Sequence, residues 1–268
     1  MRMATVRDRW RIAAALAAVV LAWIPNGAAR AESSVVDLPL GGGAVERVLY
    51  MGPVNPAAVL VMFPGGDGIV RLGQDGTIGV RGNFLVRTRQ QWVDSGFAVA
   101  IPDVPSNLPD LKNGRLSPAY ADAIGKIVAF VHGRSGAPVW LVGTSRGTVA
   151  AANGASRLTA HQIAGLVLTS TVTKPGGDGH ETVFGANLAA IDVPVLILSH
   201  EGDKCRLTSP AARPQIKAAL TAAPKVEIAT LTGGLPPKSG PCEAMSEHGF
   251  YGIEPQAVGE IAAWIKSH

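Results

Sequence analysis

A series of short, nearly unbroken apolar runs constrains this chain most. They are Ala57 to Phe63, Phe97 to Ile101, Val139 to Val142, Ile163 to Thr169 and Val193 to Ser199. A strand with one wet face alternates apolar and polar residues. These runs do not alternate, so each reads as a strand covered on both faces. Between them lie longer stretches with helical spacing. Phe84 to Ser95 stops at Gly96, and Ser117-Pro118 supplies an N-cap and a first-turn proline for a helix to about His132. Arg146 to Leu158, Arg213 to Ala223 and Gln256 to Lys266 read as further helices, and Val226 to Leu231 as a last strand. Ser34 to Leu40 and Ala44 to Met51 flank Gly41-Gly42-Gly43, a hairpin signal. The pattern predicts an α/β fold: a mostly parallel central sheet with an antiparallel N-terminal hairpin and helices on both faces. Ligands on such sheets bind beyond the carboxyl ends of the strands, so functional residues are expected just after apolar runs.

The first residues differ from the rest. Arg2, Arg7, Arg9 and Arg11 precede an apolar run from Ile12 to Ile24, which is followed by Pro25-Asn26-Gly27 and then Ala29-Arg30-Ala31. This is the layout of a signal peptide over residues 1–31, with an uncleaved anchor as the alternative. The run is shorter than the roughly 20 residues a membrane-spanning helix needs. The expectation is a periplasmic or secreted domain of residues 32–268, with no stable membrane insertion after cleavage. Five of the 24 basic residues and one of the 20 acids lie in the leader, which leaves 19 of each. The high isoelectric point therefore belongs to the leader and gives no ground for a nucleic-acid partner. Cys205 and Cys242 are the only cysteines. In an exported protein an even pair is a candidate bridge. The two offer no metal-ligand spacing, and neither a metal nor a cofactor is expected.

Three apolar runs are followed by chemistry. Gly143-Thr144-Ser145-Arg146-Gly147 comes directly after Val139 to Val142. A serine hydroxyl becomes a nucleophile only when it is held exposed and a base removes its proton. A tight strand-to-helix turn does the holding, and glycines on both sides leave room for it. The bare pattern is weak in so glycine-rich a chain; its place between a buried strand and a small-residue helix gives it weight. Asp203, in Ser199-His200-Glu201-Gly202-Asp203, follows the run Val193 to Ser199 and suits the carboxylate that orients an imidazole, with Glu201 as its rival. His248, in Ser246-Glu247-His248-Gly249-Phe250, lies between the last strand and the closing helix. Of the histidines, only this one completes the order Ser, Asp, His after the final strand. Phe63-Pro64-Gly65-Gly66-Asp67-Gly68 is a glycine-rich loop after an early strand. It is a source of backbone N–H donors for an oxyanion, Gly66 first and Asp67 second, with the N–H of Arg146 as the partner donor. No Gly-Lys-Ser/Thr follows it, so it is not a phosphate loop.

FPGGDG, GTSRG, SHEGD and SEHGFYGIE, followed by a helix ending AAWIK, together resemble the α/β-hydrolase superfamily from about Val45 to the C-terminus. The similarity points to exported, dienelactone-hydrolase-like serine esterases without a large cap. One departure is Pro64, where many members carry histidine before the oxyanion glycine. The resemblance implies Ser145 as nucleophile, His248 as base then acid, Asp203 as its orienter, and acyl transfer followed by hydrolysis of a small or medium ester. A peptidase, a lactone or thioester hydrolase, an acyltransferase and a non-catalytic binding protein are the alternatives. On this reading a Cys205–Cys242 bridge would tie the acid loop to the histidine loop, stabilising by about 3–4 kcal/mol through chain entropy. The connection Thr169 to Ile191 is short and glycine-rich, so no lid is expected. Arg71, Arg81, Arg115 and Arg146 could reach an anionic substrate from the loops around the site, although loop arginines are usually just solvated.

Overall fold

A computed structural model describes residues 32–268. The expected leader, residues 1–31, lies outside the described residues. The strands are β1 (Glu32–Gly41), β2 (Ala44–Gly52), β3 (Val59–Phe63), β4 (Ala98–Pro102), β5 (Val139–Thr144), β6 (Gly165–Thr169), β7 (Val195–His200) and β8 (Val226–Leu231). They form one eight-stranded sheet in the order β1-β2-β4-β3-β5-β6-β7-β8. β2 runs antiparallel to β1 and to β4, and the remaining pairs are parallel. The helices are α1 (Phe84–Arg87), α2 (Arg89–Asp94), α3 (Pro118–Ser135), α4 (Gly147–Ala155), α5 (Arg213–Ala219) and α6 (Glu254–Lys266).

The unbroken apolar runs are explained by two cores, one on each face of the sheet. Along β3, Val59, Val61 and Phe63 join Ile124, Ile127 and Val131 of α3 and Ala151 of α4. Leu60 and Met62 point the other way, into a layer with Trp92 of α2 and Ile261 and Trp264 of α6. Each large side chain buried this way contributes roughly 1.5–3 kcal/mol. No helix among the described residues is long and apolar enough to cross a membrane.

The single helix read over Phe84 to Ser95 is two helices broken at Thr88. The Thr88 hydroxyl donates to the Phe84 carbonyl at 2.7 Å and accepts from Trp92 Nε1 at 2.9 Å. This back-bonding competes with the helix ladder and turns the chain. Glu46 of β2 is fully buried, and its carboxylate oxygens have no hydrogen-bond partner among the described residues. Burial first, and the nearby Asp103 carboxylate second, push its pKa up to about 8.

Candidate active site

From β3 the chain crosses to β4 on one side, while β5 lies against β3 on the other. The C-terminal ends of β3 and β5 therefore adjoin where the chain reverses direction across the sheet, the crevice where such folds bind ligands. Phe63 pairs with Gly143, so the loop Pro64-Gly65-Gly66-Asp67 leaves the sheet beside Thr144-Ser145. Ser145 occupies the turn from β5 to α4 with φ 52°, a left-handed conformation costly for a side-chain-bearing residue. The strain is held by its neighbours: Ser145 N donates to the Thr169 carbonyl at 3.0 Å, and the Thr148 hydroxyl donates to the Ser145 carbonyl at 2.6 Å. The flanking glycines are required by contact. A Cβ on Gly143 would stand 2.5 Å from the Gly147 carbonyl oxygen, and one on Gly147 would stand 1.9 Å from the Phe63 carbonyl oxygen. A Cβ on Gly65 would stand 2.8 Å from Ser145 Cβ.

Asp203 and His248 come from loops far apart in sequence and meet. Asp203 Oδ2 lies 3.1 Å from His248 Nδ1, with both side chains buried. The rest of the carboxylate is also engaged, since Cys205 N donates to Oδ1 at 2.9 Å and the Thr208 hydroxyl donates to Oδ2 at 2.9 Å. Having given its proton to Asp203, the Thr208 oxygen faces His248 Nδ1 at 3.2 Å as an acceptor. The Ser170 hydroxyl donates to the His248 carbonyl at 2.8 Å. Glu201, the rival acid, is exposed. His200 is occupied elsewhere: its Nδ1 accepts from Gly202 N at 2.9 Å, so Nε2 carries the proton and donates to the Gly233 carbonyl at 2.9 Å. Cys205 and Cys242 are joined in a disulfide.

Ser145 and His248 line one cavity of about 260 Å³, together with Gly65, Gly66, Asp67 and Asn83. Ile69, Val80, Phe84, Val86 and Ala244 give it an apolar wall. The Ser145 hydroxyl has no hydrogen-bond partner among the described residues; serine and imidazole share the cavity without direct contact in this state. The N–H groups of Gly66, Asp67 and Arg146 likewise have no protein acceptor among the described residues, whereas the neighbouring Ser145 N–H is bonded within the fold. Two arginines are not directed at a ligand. Arg115 is 1% exposed and turned into the protein. Arg146 sends its guanidinium to the Gly176 carbonyl at 2.9 Å and lies 3.7 Å from Asp178.

No protein-family model matches the chain, and no curated protein matches it by sequence. Solved structures do. An esterase from Pyrococcus furiosus superimposes with a TM-score of 0.63 at 12% identity, covering 88% of this chain and 91% of that one. A dienelactone hydrolase from Anabaena variabilis gives 0.58 at 13% identity, covering 88% and 96%. A thioesterase domain from the curacin biosynthetic pathway gives 0.51 at 16% identity, covering 89% and 99%. The chain has the α/β-hydrolase fold. The glycine loop after β3 and the turn after β5 lie side by side at the carboxyl edge of the sheet, and the loop after β8, with His248, lines the same cavity.

Several contributors lay beyond the reach of the sequence. Thr208 touches both Asp203 and His248, yet a threonine five residues past a loop acid carries no pattern of its own. Asn83 carried no signal in the sequence; in the structure it caps α1, its Oδ1 accepting from Leu85 N at 3.0 Å. Its Nδ2 lies 3.5 Å from where a Cβ on Gly65 would stand, on the cavity wall. Arg87, at the end of α1, ties that helix to the histidine loop, donating to the Gly249 carbonyl and pairing with Glu254 at 2.9 Å.

Proposed function

We propose that this chain is an exported serine hydrolase that cleaves a carboxylic ester of small or medium size through an acyl-enzyme intermediate. The observation that carries the reading is the buried Asp203–His248 contact opening onto the same cavity as a serine held at φ 52°. Ser145 Oγ attacks the carbonyl carbon while its proton passes to His248 Nε2. Asp203 accepts from Nδ1–H, which fixes the tautomer and stabilises the imidazolium that forms. The developing oxyanion takes hydrogen bonds from the N–H groups of Gly66 and Arg146. His248 then gives its proton to the leaving alkoxide, and water repeats the sequence in reverse to release the acid. Contact between Ser145 and His248 tightens when substrate occupies the cavity, as in other hydrolytic sites that are loose when empty.

The cavity volume and apolar wall favour a compact acyl group. The structural neighbours described as esterases, a dienelactone hydrolase and a thioesterase favour ester-type bonds. Export is supported by the pattern of residues 1–31 and by the disulfide. The test is labelling of the mature protein with a fluorophosphonate probe beside Ser145→Ala. Wild type is expected to be labelled and the variant not; equal labelling of both would overturn the reading.

A further inference from the structure

Arg115 is a buried cation in an unusual setting. Its three guanidinium hydrogen bonds all go to main-chain carbonyls: Leu111, Gly66 at 3.1 Å, and a longer one to Pro64 at 3.5 Å. No carboxylate pairs with the guanidinium among the described residues. Glu181 comes near, but its two oxygens accept from the main-chain N–H groups of Arg115 and Leu116, each at 2.9 Å. Asn153 Nδ2 donates to the Arg115 carbonyl at 2.8 Å. The side chain is thus fixed at its root while its charge stays unneutralised. Burial pulls its pKa down to about 10, so it still carries a charge at neutral pH. Taking an ion out of water is costly, and a lone guanidinium spent only on loop carbonyls calls for a reason.

The reason lies in the loop it grips. Every carbonyl from Pro64 to Asp67 is tied back. Pro64 and Gly66 accept from Arg115, Gly65 accepts from Gly68 N at 3.2 Å, and Asp67 accepts from Leu111 N at 2.7 Å. Leu111 in turn accepts from Arg115, which closes the circuit. A trans peptide points its N–H opposite to its carbonyl. Drawing the Pro64 and Gly66 carbonyls toward Arg115 therefore turns the N–H groups of Gly65 and Asp67 away from it, while Gly68 N, by holding the Gly65 carbonyl, sets the Gly66 N–H in the middle of the same loop; the N–H groups of Gly66 and Asp67 have no protein acceptor among the described residues. Hydrogen bonding at a peptide oxygen also strengthens its N–H as a donor.

We propose that Arg115 is a positioning residue that orients and polarises the Pro64–Asp67 loop, so that its N–H groups receive the negative charge that develops during acyl transfer to Ser145. The inference rests on the serine-hydrolase reading above. Arg115 does not touch the substrate; it acts through the loop. Its effect therefore falls on the rate of the chemical step and not on substrate binding.

The test compares wild type, Arg115→Met, Arg115→Lys and Ser145→Ala by the saturation kinetics of fluorophosphonate labelling and by hydrolysis of a short-chain p-nitrophenyl ester. Melting temperatures are measured alongside. Arg115→Met is expected to lose about 10- to 100-fold in kcat and in maximal labelling rate, somewhat less than removal of an oxyanion donor, with KM within about threefold. Arg115→Lys keeps the charge without the fork and is expected to fall between. Folded variants with wild-type kcat, or with a loss confined to KM, would overturn the proposal. If Arg115→Met does not fold, Arg115→Lys decides by the same criterion. An active or labelled Ser145→Ala would instead overturn the serine-hydrolase reading. A silent Ser145→Ala beside wild-type-like Arg115 variants would sink this inference alone.

Discussion

The two walls of the cavity are held by different means. On the Ser145 side, sheet register sets Phe63 opposite Gly143, and close glycine contacts fix the turn through Ser145 to Gly147. That wall is a property of the backbone, and there is no room for any other side chain at Gly147. On the acid–histidine side, Asp203 stands on the loop after β7, and His248 on a single 3₁₀ turn (Glu247–Gly249) in the connection after β8. Side-chain hydrogen bonds through Thr208, Ser170 and Cys205 N, together with the Cys205–Cys242 bridge, hold them. A site built this way has one wall that fails all at once and another that can be loosened by degrees.

Substitutions should separate the walls. Gly147→Ala puts a Cβ 1.9 Å from a backbone oxygen that cannot yield without moving β3. It is expected to abolish folding, read as loss of the cooperative thermal transition; a folded, active Gly147→Ala would break the contrast. Asp203→Asn is expected to fold normally and to lower kcat by about 10⁴-fold, since the imidazole loses the acceptor that fixes its tautomer. A loss below tenfold would mean that Thr208 alone can orient His248. Reduction of the bridge is expected to destabilise by about 3–4 kcal/mol and to lower activity on folded protein, measured with and without reductant. Unchanged melting and unchanged rates would show that hydrogen bonds suffice on that wall.

Legibility in the sequence divides along the same line. The paired faces of β3 and β5, the glycines around Ser145 and the order of elements are local patterns, so the fold and the strand-to-helix turn at Ser145 could both be read from apolar runs and spacing. The acid–histidine wall was legible only as residue types in order, Asp203 before His248. Its supports were not, because Thr208 and Ser170 come from loops whose meeting depends on tertiary packing. Arg115 shows the limit most clearly: from sequence it is one more loop arginine near the site, and only its burial and its carbonyl partners give it another meaning.

Smaller effects sharpen the comparison away from and within the site. Glu46 is protonated in the folded protein up to a pKa of about 8, against 4.5 for the ordinary carboxyl. Its contribution to stability is full below the ordinary value, declines as pH rises toward 8, and is lost above it. Glu46→Gln is therefore expected to flatten stability against pH and to be the more stable of the two proteins above pH 8, read by urea unfolding at pH 5, 7 and 9. A parallel decline in both proteins would contradict this. Thr208→Val removes one donor to Asp203 and one acceptor beside His248, and is expected to cost about 1–2 kcal/mol of transition-state stabilisation, or roughly five- to thirtyfold in kcat/KM.

The central claim is that a nucleophile held by backbone strain is acylated in a cavity whose other wall supplies the base. Peptide mass mapping after rapid acid quench of the protein with a short-chain activated ester tests it most directly. The account predicts one acyl group, on the peptide containing Ser145, and none in Ser145→Ala. An acyl group on another residue, or hydrolysis by Ser145→Ala at the wild-type rate, would contradict it.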